Sequence, residues 1–208
     1  MMTLTLWYVA AYLLGAIPTS LLVSRLIAGV DLTTRGSGNL GATNVFRILG
    51  WKYAVPVGLI DVAKGTVPVV LFAPRAGEAE WIPVTLGLVA IVGHVFSVFA
   101  KFKGGKGVAT AAGVVLGLAP LQLGIAAAVW ALTVWLTGYV SLGSMLGAVA
   151  FTVSVAVLAP QNLLLLAVGI GISAFIVFTH RSNIKRLLQG TESRFGRRGG
   201  GPGGSQPT

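Results

Sequence analysis

Seven apolar runs divide the 208-residue chain, at 4–28, 53–73, 82–100, 108–119, 121–137, 142–159 and 163–180. A helix needs about 20 apolar residues to cross a bilayer core, and most of these runs approach that length. The run 108–119 is short, and Pro120 ends it, so it predicts a half-length or tilted helix. The pattern predicts an all-α polytopic integral membrane protein, a seven-transmembrane-helix bundle. No Lys or Arg precedes Arg25, whereas a secretory signal carries its basic residues first. Residues 4–28 therefore read as a retained span. Residues 1–195 read as one transmembrane domain. The Gly/Pro-rich end, 196–208, reads as a disordered tail with no catalytic role.

Charge placement orients the bundle. With the N-terminus outside, seven crossings put the C-terminus inside. Thirteen of the fifteen basic residues then fall on inner segments, Arg75 lies outside with Glu78 and Glu80, and Lys64 lies in a span. This satisfies the positive-inside rule. Were 108–119 not to cross, the basic tail would land outside. The expected location is a cytoplasmic membrane, multi-pass, with the inner polar segments facing the cytoplasm.

Composition narrows the chemistry. The chain is 55% hydrophobic and 10% charged, against about 25% charged for a soluble domain. It has no cysteine, two histidines (His94 and His180) and five acids. Thiolate chemistry is excluded, a histidine-rich metal site or a carboxylate pair is disfavoured, and no cofactor is expected. The net charge of +10 suggests anionic partners. In so apolar a chain, membrane phosphates are a more economical choice than nucleic acid. No protein partner is inferable.

The orientation brings three polar segments to one face. Lys101–Thr110, KFKGGKGVAT, combines three glycines with three lysines and runs into a helix start at Val108–Thr110. Exposed amides in such a turn, with lysine charge and free helix N–H groups, make a phosphate cradle. It is not a nucleotide-binding P-loop, because Gly107 rather than Ser or Thr follows Lys106. An ordinary basic juxtamembrane loop has the same composition. The segment 31–50 alternates Gly36, Gly38 and Gly41 with Ser37, Asn39 and Asn44. Thr43 or Asn44 is placed to cap a short helix that carries Arg47 and stops at Gly50. Arginine binds phosphate through two parallel hydrogen bonds, although a flexible loop with a surface arginine also fits. In His180–Glu192, His180 and Asn183 share a helical face. That stretch also reads as a basic interfacial helix.

Three further features have structural readings. Asp61 and Lys64, three apart in the second span, pair with each other. His94 reads as a packing residue. Ser141 and Ser144, in an inner turn, suit a ligand contact or a helix cap.

Taken together, GSGNLGATNVFR at 36–47, GHVFSVFAKFKGGKGVAT at 93–110 and HRSNIKRLLQGTESR at 180–194 resemble the three signature motifs of the bacterial acyl-phosphate:glycerol-3-phosphate acyltransferases, the PlsY family. The resemblance spans the chain in order. It implies a seven-helix enzyme of phospholipid synthesis in the bacterial inner membrane, with its site on the cytoplasmic face. The implied reaction moves a fatty acyl group from acyl phosphate to the 1-hydroxyl of sn-glycerol 3-phosphate. The products are 1-acyl-glycerol 3-phosphate (lysophosphatidic acid) and phosphate, with no metal or cofactor.

The same resemblance implies Ser37, Arg47, Lys106, His180 and Asn183 as catalytic residues. Arg47 and Lys106 are expected to hold phosphates, with Gly104, Gly105 and Gly107 donating amides beside Gly38. Ser37 and Asn39 orient the acyl phosphate or the attacking hydroxyl, and His180 and Asn183 position glycerol 3-phosphate. Asn44 and Glu192 brace the loops, and Ser141 or Ser144 adds a contact. The proton acceptor is His180 or, as favoured here, a substrate phosphate oxygen. An acyl-Ser37 intermediate is a third route. A transporter would place polar groups near the midplane and on both sides. A CDP-alcohol phosphotransferase needs an aspartate cluster for metal, and Asp31 and Asp61 are the only aspartates.

Overall fold

The computed structural model describes residues 2–195. The expectation of a disordered tail at 196–208 lies outside the described residues. The described residues are helical, with no strand among them.

The first apolar run is two helices, α1 (Met2–Ala16) and α2 (Thr19–Ala28). The expected single span 4–28 is broken at Ile17–Pro18 because proline brings no N–H to the helical ladder. Together the two helices are long and apolar enough to cross a membrane. Gly29, at φ 61°, ends α2 by returning its N–H to Arg25 O. A loop then leads to the short helix α3 (Ala42–Leu49), followed by α4 (Trp51–Val67). Pro68 opens a wider, π-helical turn (Pro68–Phe72) that continues into α5 (Ala73–Ala76). Trp51–Ala76 thus forms a second candidate span.

The third candidate span holds α6 (Trp81–Val95) and the short turn Val98–Ala100. After the glycine-rich loop come α7 (Val108–Leu118), α8 (Pro120–Thr137), α9 (Val140–Leu158), α10 (Leu163–Thr179) and α11 (Arg181–Leu188). At 11 residues, α7 is about 16 Å long, roughly half a bilayer core. Pro120 occupies the first position of α8, where its missing N–H costs nothing. Helices α10 and α11 meet at 59°. Among the described residues, five stretches are long and apolar enough to cross a membrane, or six when α10 and α11 are taken as one bent span.

Helix α1 packs on α6, α4 on α7, α8 on α9, and α9 on α10. Small residues make the closest crossings, as expected where backbones must approach within lipid. At the α4–α7 crossing, a Cβ on Gly65 would strike Thr110 O, and one on Gly113 would strike Val62 O. Thr66 Oγ1 donates to Gly113 O at 2.9 Å across the same crossing. The largest apolar cluster runs through α6–α10 and includes Ile91, Val114, Phe151, Val155 and Ile172.

The expected Asp61–Lys64 pair is present and buried, with Lys64 Nζ 2.7 Å from Asp61 Oδ1. The same ammonium donates to Ile17 O, a carbonyl at the α1–α2 break. The ion pair thus ties α4 to a proline-interrupted helix.

Candidate active site

The α3, α7 and α11 segments meet at one mouth of a cavity of about 460 Å³. Ser37, Asn39, Asn44 and Arg47 reach it from the first polar segment, and Lys106 and Gly107 from the second. His180, Asn183 and Glu192 come from the third, with Ser141 and Ser144 from α9. All five residues expected to be catalytic therefore line one space.

Each arrives there for a local reason. Asn44 was expected as a possible cap, but α3 begins one turn earlier, with Gly41 as its N-cap and no side-chain cap bond. Asn44 is buried instead, and its amide folds the preceding loop. Oδ1 accepts from Ser37 N at 2.9 Å, and Nδ2 donates to Arg35 O at 3.1 Å. Gly36, at φ 59°, lies so close that a Cβ would strike Asn44 Oδ1. The Asn44 brace presents Ser37 to the cavity while α3 presents Arg47.

The glycine loop differs from expectation. Gly104 and Gly105 do not line this cavity, and their amides donate to Val95 O at 3.0 Å and His94 O at 3.2 Å. Those bonds dock the loop onto the end of α6. Gly38 is also outside the lining, with its amide donated to Arg35 O at 3.0 Å. Gly107 does line it. At φ 81°, it is the N-cap of α7, so the amides facing the mouth are those of the first turn of α7.

Lys106 is half-buried and donates through Nζ to Asn183 Oδ1. Burial pushes its ammonium down to about 8, although Glu192 opposes the shift. Asn183 Nδ2 donates to Glu192 Oε1 at 2.6 Å. Ser141 Oγ donates to the same oxygen at 2.8 Å, and Arg186 Nε to Oε2 at 2.7 Å. Burial raises the Glu192 carboxyl, but the bonds from Asn183, Ser141 and Arg186 outweigh it and hold the group below its usual value. Glu192 is thus a charged brace between α9 and α11. Ser144 spends its hydroxyl on Val140 O at 2.9 Å. His180 Nδ1 lies 2.8 Å from Ile176 O. A carbonyl oxygen only accepts, so Nδ1 carries the proton, and in the neutral ring Nε2 is an acceptor.

The cavity has a second, apolar half between α7, α8, α9 and α10. Val115, Ala127, Trp130, Phe151 and Ile172 line it. Sequence reasoning missed these positions, because wall residues spread over four helices look like any membrane-helix residue. It also did not place Asp61 and His94 at the cavity, although both line it. Arg186 was missed as a partner of Glu192, for which the six-residue spacing from a helix into a following turn was a weak signal.

Fold and site together define an integral membrane protein that presents a basic, amide-lined cavity mouth continuous with an apolar arm. Comparison with known proteins specifies the class. The model of the glycerol-3-phosphate acyltransferase family matches residues 5–190. A glycerol-3-phosphate acyltransferase of Chlorobaculum parvum is 44% identical over 95% of this chain and all of that protein. One from Geotalea daltonii is 45% identical over 91% of this chain and 96% of that one. The crystal structure of PlsY (YgiH), an integral membrane glycerol 3-phosphate acyltransferase, in its glycerol 3-phosphate form, superposes with a TM-score of 0.87. It is 40% identical over 93% of this chain and 96% of that one. Its lysophosphatidic acid form gives 0.83 at 39% identity, over 93% and 95%. The chain belongs to the glycerol-3-phosphate acyltransferase family.

Proposed function

We propose that this protein transfers a fatty acyl group from acyl phosphate to the 1-hydroxyl of sn-glycerol 3-phosphate, the first acylation of phospholipid synthesis. The observation that carries the reading is the shape of one cavity, with a basic mouth lined by Arg47 and Lys106 and an apolar arm beyond it. Both substrates are anions, and only the donor has a long tail. Similarity to proteins captured in glycerol 3-phosphate and lysophosphatidic acid forms supports the acceptor and the product.

In this reading, Arg47, Lys106 and the first-turn amides of α7 hold the two phosphates. Ser37 and Asn39 orient the reacting groups. His180 Nε2 accepts from the other, non-reacting hydroxyl of glycerol 3-phosphate and so positions the acceptor, while Asn183 keeps Lys106 in place. The 1-hydroxyl oxygen bonds to the acyl carbon as the acyl C–O bond to phosphate breaks. A phosphate oxygen takes the 1-hydroxyl proton. The leaving group is already activated, so orientation and charge stabilisation carry the catalysis.

The topology that fits is seven crossings, with α7 as a half-length member, the N-terminus outside and the mouth on the cytoplasmic side of a bacterial inner membrane. Convergence of Arg47, Lys106 and Arg186 near one mouth agrees with positive-inside placement.

The test is turnover of purified protein with glycerol 3-phosphate and either acyl phosphate or acyl-CoA. Product forms with acyl phosphate alone. Arg47→Ala and Lys106→Ala each lose most turnover while the bundle stays folded. Equal rates from acyl-CoA overturn the choice of donor, and full turnover in both variants overturns the site.

A further inference from the structure

We propose that the ring of Phe151 is the floor of the apolar arm and sets the length of acyl chain the protein accepts. The proposal deepens the reading above and rests on it, since it requires an acyl tail in this arm.

Along α9 the cavity wall runs from Ser141 at the mouth through Ser144, Gly147 and Ala148 to Phe151. One turn further, Val155 is fully buried and belongs to the packed core rather than to the wall. The α7 wall likewise ends at Val115, the α10 wall at Ile172 and the α8 wall at Leu123. Above Phe151 the α9 wall is made of small side chains, and Phe151 is its first large one. Only 3% of Phe151 is exposed. Its ring lies against α10 where residue 169 has no side chain: a Cβ on Gly169 would stand 3.3 Å from Phe151 Cε1. The ring is seated by packing, so a chain end that meets it cannot push it aside cheaply.

The depth is set by helix geometry. Ten residues separate Ser141 from Phe151, and a rise of 1.5 Å per residue makes that about 15 Å. An extended alkyl chain, with C–C bonds of about 1.5 Å in a zigzag, advances about 1.25 Å per carbon. About twelve carbons therefore lie between the mouth and the ring. Longer tails must press on Phe151 or bend out between helices. Each methylene that loses its apolar contact costs about tenfold or more in discrimination.

The experiment compares relative kcat/KM for a series of saturated acyl phosphates, short to long, with glycerol 3-phosphate held constant. Phe151→Ala removes the floor, and the optimum moves up by about three carbons, with the longest-to-shortest ratio rising about tenfold or more for each carbon the arm gains. Ala127 lines the arm from α8 with an exposed side chain, so Ala127→Leu has room to fold even if Phe151→Ala does not. It narrows the arm, and its optimum moves down by about two carbons. A wild-type length profile in either active variant overturns the ruler and leaves the acyltransferase reading standing. If the wild-type protein uses no acyl phosphate of any length, the underlying reading falls and the ruler with it.

Discussion

Asn183 Nδ2 donates to Glu192 Oε1 at 2.6 Å, and this bond fixes which way the Asn183 amide points. A carboxylate only accepts and an ammonium only donates. The amide nitrogen must therefore face Glu192 and the oxygen Lys106, as observed. Glu192 thereby orients Lys106 without touching it, while also holding Ser141 and Arg186.

Replacing Glu192 with Gln should show this. The amide oxygen can keep Asn183 and Ser141, which share Oε1, but the amide nitrogen then faces the half-exposed Arg186, so at least one of the three donors loses its partner. The charge that opposes Arg186 is lost too. The expected loss is about 2–4 kcal/mol of stability, with reduced turnover in the protein that remains folded. Thermal unfolding in detergent beside an activity assay checks it. Unchanged stability would show that the carboxylate is dispensable as a brace.

Lys106 makes a pH prediction. Its ammonium, pushed down to about 8 by burial, is charged below that pH and neutral above it. In the proposed site the charged form holds phosphate, so kcat/KM should fall as pH rises through about 8. Lys106→Arg keeps its charge throughout that range and should lose the alkaline limb, although its rate drops about tenfold or more because a fork replaces a point charge. A limb that persists unmoved in the arginine variant assigns it to another group.

Part of this architecture was legible beforehand, and the reason lies in the bilayer. Apolar runs mark helices wherever lipid must be faced, so the helical class and the shortness of 108–119 could be read directly. The break at Pro18 and the π-helical turn at Pro68 were not read, because a proline within a long apolar run still looks like one span. The candidate site residues came from motif resemblance, and the three segments that carry them do converge on one cavity. Their individual bonds were not. Composition marked Gly104 and Gly105 as amide donors, yet their N–H groups face α6 carbonyls. Only three-dimensional packing decides which of several adjacent amides is free.

That docking makes Gly105 a test of loop placement. A Cβ there would strike His94 Nε2 and stand 2.8 Å from Leu40 O, a backbone atom that cannot swing away. Gly105→Ala should therefore shift the loop, with Lys106 next in sequence, and cost about 1–3 kcal/mol. Because Lys106 moves with the loop, KM for glycerol 3-phosphate or the acyl donor should rise several-fold in detergent assays. Wild-type KM values and stability would show that the loop has slack at this point.

The buried pair of Asp61 and Lys64 yields the last prediction. Both side chains are almost inaccessible, and the ammonium also holds Ile17 O where Pro18 interrupts the helix. Removing one partner leaves the other charge buried, with His94 Nδ1 at 3.9 Å still beside Asp61, at a cost of about 3–5 kcal/mol. Lys64→Met should therefore destabilise strongly, and Asp61→Asn should do so for the opposite sign of charge. The double variant buries neither charge and should recover much of the loss. Recovery cannot be complete, because the Ile17 carbonyl still lacks its donor. A double-mutant cycle by thermal unfolding measures the coupling. Simple additivity of the two losses would mean that the pair does not act as a unit.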